Sequence, residues 1–358
     1  MDFRLSTLDC LKLTNFRSYA EAQFGLGPST TLVVGPNASG KTNLLEGLYV
    51  LASTKSFRAR DPELVRHGQD YFRLVAQSGG VEIALGFSLQ AGHQTKQVTF
   101  GGVKKSLSSH IGTIRAVLFE PGDLYLVAGP PERRRRYLDF MLCQTDRQYL
   151  SVLNQYRRVL RQRNSLLAGF RAIRIQDEIF AWDIKLTELA GEIYRRRLEL
   201  VGFINERIDG LYGEVAGAAV GVQLQYLPSV KSADYRDGFL AALNQNLTTD
   251  LAAGFTTIGP HREDFRVDFG TSVITAVASR GEVRTVVLVL KLAELAFNET
   301  SGPKPILLLD DVFSELDQSR RRYLMRRIKD HQTIITTTEA DAVRGLKADY
   351  SVIKTGPG

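Results

Sequence analysis

The run Gly35-Pro36-Asn37-Ala38-Ser39-Gly40-Lys41-Thr42 constrains the fold of this chain more than any other feature. It satisfies G-x-x-x-x-G-K-[ST], and the apolar residues before it, Thr31-Leu32-Val33-Val34, read as a buried strand. Behind the loop the spacing predicts a helix from Thr42 to about Ala52, with Asn43 in its first turn. Strand, glycine loop and helix N-terminus make a phosphate cradle. The glycines let backbone N–H groups curl around phosphate oxygens, and the helix end adds its positive dipole. Lys41 reaches the β- and γ-phosphates, and the Thr42 hydroxyl ligates Mg²⁺. Gly35 through Asn43 are therefore the expected ATP contacts.

Such a site needs an acidic strand beside it. Ile306-Leu307-Leu308-Leu309-Asp310-Asp311 reads as a buried strand ending in two carboxylates. Asp310 is placed to hold Mg²⁺ through its water shell, and Asp311 to orient the attacking water as a general base. Asp317, shortly after, is expected to N-cap a helix from Gln318 to Lys329.

The rest of the chain reads as an α/β protein interrupted by helices. At 358 residues it is long enough for two domains. Short strands fill residues 1–34, and alternating apolar residues from Tyr71 to Phe100 predict hairpins turning at Gly79-Gly80 and Ala91-Gly92. From Glu132 to Ile208 the period becomes helical, with Tyr149, Leu153, Tyr156, Leu160 and Leu167 on one face. Two long helices broken near Gly169 are expected, forming a hairpin of about 50 Å. Residues 222–230 read as a strand, and further strands are expected near 264–269, 306–310, 333–337 and 350–354. The expected architecture is an ATPase domain of residues 1–125 and 250–358, with a mostly helical insertion of residues 126–249.

Charge points to a polyanion. The net charge is +7, and residues 131–210 hold 16 Lys/Arg against 11 Asp/Glu. Arg147, Arg157, Arg158, Arg161, Arg163, Arg171 and Arg174 run with no intervening acid. They are either a solvated helix face or a phosphate-contacting surface, and the choice of arginine throughout favours the second. Arg133 to Arg136 open a helix, where cations oppose the macrodipole, so acids across a domain boundary, nucleotide phosphate and DNA are all candidate partners. No run of 18 apolar residues suggests a membrane span. Cys10 and Cys143 form no CxxC pair, which fits a reducing cytoplasm.

Ser279-Arg280-Gly281-Glu282-Val283-Arg284-Thr285 precedes the apolar run Val286 to Leu290. Ser279 and Glu282 make an S-x-x-E capping box, and the segment lies about 25 residues before the acidic strand. That order resembles the ABC ATPases, whose signature segment precedes the acidic strand. Within them the chain is similar to the RecF family of the SMC/Rad50-like branch, over nearly its whole length. The resemblance rests on Leu11-x-Leu13-x-Asn15-Phe16-Arg17, the glycine loop with Glu46, and Pro121-x-x-Leu124. It continues through Gly129-Pro130-Pro131-x-Arg133-Arg134-x-x-Tyr137-Leu138-Asp139, Gly259-Pro260-His261-Arg262-x-Asp264 and Leu309 to Asp317. The sequence departs from the family pattern at Glu282 and Val283, where glutamines are usual, and at Gly122.

The resemblance implies an ABC-type P-loop ATPase head with a helical insert, acting in DNA repair, the DNA-damage (SOS) response and replication restart. It implies a homodimer that forms on ATP, with Ser279 of one subunit on the γ-phosphate held by the other, and weak, DNA-dependent hydrolysis. It implies double-stranded DNA and single-strand/double-strand junctions as ligands, and RecR-like and RecO-like mediators as partners in loading the RecA recombinase. His261 is expected near the nucleotide or a domain junction, or simply bonded to backbone. An SMC- or Rad50-like DNA tether is the alternative, disfavoured by the short arm and the missing CxxC hook. A transporter cassette is disfavoured by the helical insert and its arginines. A clamp whose hydrolysis is dispensable is left open by Asp311, which stands where glutamate is common.

Overall fold

The structure is a computed structural model that describes residues 5–90, 92–169, 175–338 and 350–356. Its strands, in chain order, begin with β1 (Cys10–Phe16), β2 (Tyr19–Gly25), β3 (Thr30–Val34), β4 (Tyr71–Ser78) and β5 (Val81–Gln90). There follow β6 (His93–Phe100), β7 (Val103–Lys105), β8 (Ala116–Phe119), β9 (Val222–Leu227) and β10 (Asp264–Phe269). The last are β11 (Ser272–Val273), β12 (Ile306–Asp310), β13 (Thr333–Thr337) and β14 (Tyr350–Lys354). The chain divides into two compact units, one of Met1–Asp123 with Glu294–Gly358 and one of Leu124–Ala293.

The first unit contains two sheets among its described residues. One is antiparallel, in the order β2-β1-β4-β5-β6-β7, and the other is parallel, in the order β14-β3-β13-β12-β8. Helix α1 (Lys41–Ser53) packs against β1 and β4 of the first and against β8, β12 and β13 of the second. A helix covered on both sides must be apolar nearly all round. Accordingly Leu44, Leu45, Leu48, Val50, Leu51 and Ala52 are all buried, in one core with Leu11, Leu13, Leu74, Leu308 and Ile334. The strands read as their sheets require. β4 alternates, whereas β12 is buried at every position because a parallel sheet is covered on both faces.

Register aligns the chemistry. Asp310 pairs with Thr336, Thr336 with Val33, and Val34 with both Thr337 and Lys354. The carboxyl ends of four neighbouring strands thus lie at one level, and the glycine loop leaves the sheet there. Ligands of open α/β sheets bind at this edge.

The second unit is helical around a small sheet. Helices α2 (Pro131–Thr145), α3 (Arg147–Gly169) and α4 (Ile175–Ala216) pack together, and α4 lies on β9 of the sheet β11-β10-β9. The helical stretch has a break that its period does not reveal. Asp146 stands between α2 and α3, and its carboxylate accepts the N–H groups of Gln148 (2.8 Å) and Tyr149 (3.1 Å), starting a new helix. The expected break near Gly169 and the turn residue Ala91 lie at or within segments outside the described residues. Strand β9 stops at Leu227 rather than 230, because Pro228 has no N–H to continue pairing with β10. Helices α5 (Tyr235–Gln245) and α6 (Leu247–Ala253) follow, and α7 (Arg280–Glu299) begins at the capping box.

Candidate functional site

The glycine loop joins β3 to α1. Pro36, Asn37 and Ala38 form an exposed lip, while Ser39, Gly40 and Lys41 are buried. Gly40 is the N-cap of α1 with φ 90°, and Ala38 also has a positive φ of 64°. A Cβ on Gly40 would lie 2.6 Å from the Tyr19 hydroxyl oxygen, so glycine is required there by both backbone and space. Tyr19 donates to the Gly40 carbonyl oxygen at 3.1 Å, and burial pushes its phenol up to about 12. Ser39 and Thr355 hydroxyls meet at 2.6 Å, tying the loop to the chain after β14. The Lys41 ammonium donates to the carbonyl oxygens of Gly35 (2.7 Å) and Pro36 (2.8 Å), lying across the mouth of its own loop.

Thr42 turns toward the acidic strand. Its hydroxyl donates to Asp310 Oδ1 at 2.9 Å, and the Thr336 hydroxyl donates to the same oxygen at 2.7 Å. Thr336 Oγ1 in turn accepts the Asp311 N–H at 2.9 Å. Burial pushes the Asp310 carboxyl up from its ordinary value, and the hydrogen bonds from Thr336 and Thr42 offset part of that. Asp311 sits in the left-handed region at φ 49°, unusual for a residue with a side chain, and its Oδ2 lies 3.3 Å from the Ser314 hydroxyl. Thr42 and Asp310 supply hard oxygen donors on neighbouring elements. That suits Mg²⁺, which takes one or two protein ligands and fills its octahedron with water and phosphate oxygens. Asp317 caps α8 (Gln318–Ile328) by accepting the Arg320 N–H at 2.9 Å, as its position in sequence suggests.

Two arginines brace α1 beside the loop. Glu46 is completely buried and accepts Arg17 through Nε and Nη2, both at 2.9 Å, Arg58 at 2.8 Å and the Ser56 hydroxyl at 2.5 Å. Burial works to raise this carboxyl, but the bonds from Arg17, Arg58 and Ser56 prevail and hold it below the usual range. Arg58 also donates to Asn43 Oδ1 at 2.7 Å, and Asn43 donates to the Ser18 hydroxyl at 2.9 Å. Arg17, Ser18, Asn43 and Arg58 line a pocket there with Ala59, Glu63 and Val65.

The structure therefore gathers Gly35 through Asn43, Asp310 and Asp311 at one sheet edge. Ser279 belongs to the second unit, exposed at the N-terminus of α7. There the capping box is complete. The Ser279 N–H donates to Glu282 Oε2 at 2.7 Å, and the Glu282 N–H to the Ser279 hydroxyl oxygen at 3.3 Å.

The arginines sort by packing. Arg147, Arg157, Arg158 and Arg161 are exposed on α3, but Arg163 is not part of any phosphate-contacting surface. It is fully buried, donating to Asp183 (2.6 Å), Asp250 (2.6 Å) and Thr256 (2.8 Å), because it falls on the face of α3 that carries Tyr156 and Leu167. Arg171 and Arg174 lie outside the described residues. Arg134 pairs with both oxygens of Asp264 at 2.7 Å, and Arg135 donates to the Glu263 carbonyl at 3.0 Å. At least these two of the Arg133–Arg136 run are spent on β10 and the loop before it. His261 is bonded within its own unit. Its Nε2 donates to the Thr256 carbonyl at 3.1 Å, so its Nδ1 accepts from Tyr156 at 2.7 Å in the neutral ring. Burial lowers its pKa to about 4. Beside it Gly259 has φ 119°, and a Cβ there would meet Tyr156 Oη at 2.8 Å.

Residues 7–357 match the family described as RecF/RecN/SMC N terminal domain. A protein from Agathobacter rectalis named DNA replication and repair protein RecF is 35% identical over 338 residues, covering 92% of each chain. A protein of the same name from Lactobacillus johnsonii is 35% identical over 346 residues, covering 93% of this chain and 92% of its own. This chain belongs to the RecF family. The fold agrees. A solved structure described as the recombination mediator protein RecF-ATP in the RecFOR pathway superposes with a TM-score of 0.88 at 30% identity. It covers 99% of this chain and 96% of that one. An Smc head bound to the winged-helix domain of ScpA, at 14% identity and a TM-score of 0.51, shares the fold only. The chain is thus an ABC-type P-loop ATPase head with a helical insert, of the RecF kind that serves DNA replication and repair.

Motif spacing does not reveal the parts played by Thr336, Arg58, Tyr19 and Thr355. Only Thr336 leaves a signal, a polar Thr336-Thr337 end to the otherwise apolar run Ile334-Ile335.

Proposed function

We propose that this RecF-family protein is an ATP-controlled clamp on DNA, in which nucleotide occupancy governs dimerisation more than it drives rapid chemistry. The observation that carries the reading is the chain Asp311 N–H to Thr336 to Asp310 and back to Thr42. It links the phosphate loop to the acidic strand within a single subunit. The relative described with ATP in the RecFOR pathway supports it over nearly the full length.

In this reading Gly35 through Asn43 hold ATP, and Lys41 exchanges two carbonyl oxygens for the β- and γ-phosphates. Thr42 and Asp310 would hold Mg²⁺, which supplies charge neutralisation at the phosphates when bound. Asp311 orients water in line with the γ-phosphorus and takes its proton as the new P–O bond forms. The bond from γ-phosphorus to the bridging oxygen breaks, and ADP leaves with that electron pair. Asp311 lies at a strained backbone position that Thr336 and Ser314 hold in place.

Ser279 of the partner subunit completes the site from across the dimer, so the lone subunit hydrolyses slowly. The exposed arginines of α3 contact duplex phosphates near single-strand gaps, in the cytoplasm, and RecO-like and RecR-like partners join in loading the RecA recombinase. The ATPase domain would take in residues 1–125 and 250–358, and the arm residues 126–249. The α3–α4 arm is a short hairpin, with α4 of 42 residues, about 63 Å long.

Light scattering with and without ATP tests the clamp. Lys41→Ala should abolish ATP-induced dimerisation. Ser279→Arg should keep nucleotide binding by the monomer while blocking both dimerisation and turnover. A Ser279→Arg protein that hydrolyses ATP on DNA at the wild-type rate would remove the partner's role.

A further inference from the structure

We propose that Glu282 is a built-in competitor of the γ-phosphate, occupying the donors of Ser279 until ATP displaces it as two copies close. The inference rests on the reading that Ser279 meets the nucleotide held by a second copy. Ser279 is the N-cap of α7, and its carbonyl accepts the Val283 N–H at 3.0 Å in the first helical bond. Three residues on, Glu282 reaches back to the Ser279 N–H at 2.7 Å. Hydrogen bonds from the Ser279 hydroxyl, then from its backbone N–H, hold the Glu282 carboxyl below its ordinary range, so it is anionic at neutral pH.

A phosphate arriving at this helix end seeks the same donors and the same dipole. It meets a carboxylate already seated on them. Displacing that carboxylate breaks the capping box, and leaving it in place sets two anions side by side. Either way closure is opposed by a group of this chain, and the opposition is electrostatic. Arg280 and Arg284, one turn apart on the same face of α7, moderate it without replacing the lost donors.

Glutamine isolates the effect, because it keeps an acceptor for the capping box while removing the charge. Like charges about 4 Å apart in a water-like medium shift an equilibrium about five-fold, and a symmetric dimer contains two such pairs. Sedimentation velocity of the full-length protein in saturating ATPγS, across a protein concentration series, gives the dimer Kd. Glu282→Gln should tighten it about 25-fold at low salt, and the advantage should shrink as salt rises. Glu282→Ala, which loses the cap as well as the charge, should gain less. If wild type and Glu282→Gln dimerise with equal Kd, or the variant is weaker, the competitor is wrong while the clamp stands. If both bind ATPγS and neither dimerises, the clamp itself is wrong and the inference falls with it.

Discussion

Thr42 and Asp310, 268 residues apart in sequence, meet through a 2.9 Å hydrogen bond from the threonine hydroxyl to Oδ1. Thr336 donates to the same oxygen and accepts from the Asp311 backbone. Two strand ends and a helix start are therefore wired through one carboxylate. Burial raises the Asp310 carboxyl, and its two hydroxyl donors, with the nearby Arg58 charge, favour the charged form.

Thr336→Val tests that wiring. The substitution keeps shape and leaves the Thr42 bond, but it orphans the Asp311 N–H at a left-handed residue. We expect nucleotide affinity to change less than about three-fold and turnover on DNA to fall about ten-fold or more. The cost in stability should be roughly 1–3 kcal/mol, that of an unsatisfied buried donor. Stopped-flow binding of a fluorescent ATP analogue beside steady-state phosphate release separates the two effects. Equal loss in both would mean that Thr336 only supports the fold.

Replacing buried and exposed arginines of α3 should give opposite signatures. Arg163→Met strands Asp183 and Asp250 without their cation, which should lower stability by roughly 3–5 kcal/mol. It should leave the salt dependence of duplex binding unchanged below the unfolding temperature. Replacing Arg158 and Arg161 should do the reverse, lowering the slope of log K against log salt by about one for each phosphate no longer neutralised. An unaltered slope in the Arg158/Arg161 variant would return those residues to a solvated face.

The contrast between these arginines marks what is legible in sequence. The glycine loop, the acid pair and the Ser279 capping box are local, so spacing alone locates them and the structure places the loop and the acid pair together. Arg163 departs from its neighbours because a run of arginines along a helix does not share one face. Its spacing carries the signal, since it lies seven residues after Tyr156 and four before Leu167, both buried. An arginine on a buried helix face is paired. Which acids pair with it is not legible, because Asp183 and Asp250 come from other helices 20 and 87 residues away. Thr336 and Arg58 are similar cases, since their partners are fixed only by strand register and by the packing around α1.

Acid should weaken the second unit through His261. Its pKa of about 4 in the folded protein lies below the ordinary value near 6.5. A histidine lowered on folding contributes stability that is present above the unfolded pKa and lost as pH falls toward the folded one. Between about pH 6.5 and 4 the unfolded chain takes a proton that the native ring refuses, up to about 1.4 kcal/mol per pH unit. His110, also lowered by burial, works in the same direction in the first unit. Urea unfolding at pH 7 and pH 5 should show the fall, and His261→Gln should reduce it by about one proton. An identical pH slope in that variant would show that His261 does not titrate on unfolding.

Glu46 offers the sharpest test of the brace beside the phosphate loop. Its carboxylate is fully buried, whereas the Arg17 and Arg58 side chains are 21% and 38% exposed. Glu46→Gln therefore removes the negative charge between two guanidiniums that still reach solvent. The bonds from Ser56 and one arginine have an amide oxygen to use, but the second arginine does not. We expect a loss of roughly 2–4 kcal/mol, partly recovered at high salt because the remaining repulsion is accessible to screening. Arg58 and Ser18 both engage Asn43 in the first turn of α1, so loosening them should also raise the KM for ATP more than it lowers kcat. Thermal unfolding across a salt series, read beside that kinetic split, checks both. A salt-independent loss with KM unchanged would reduce Glu46 to a packing residue and detach the brace from the nucleotide site.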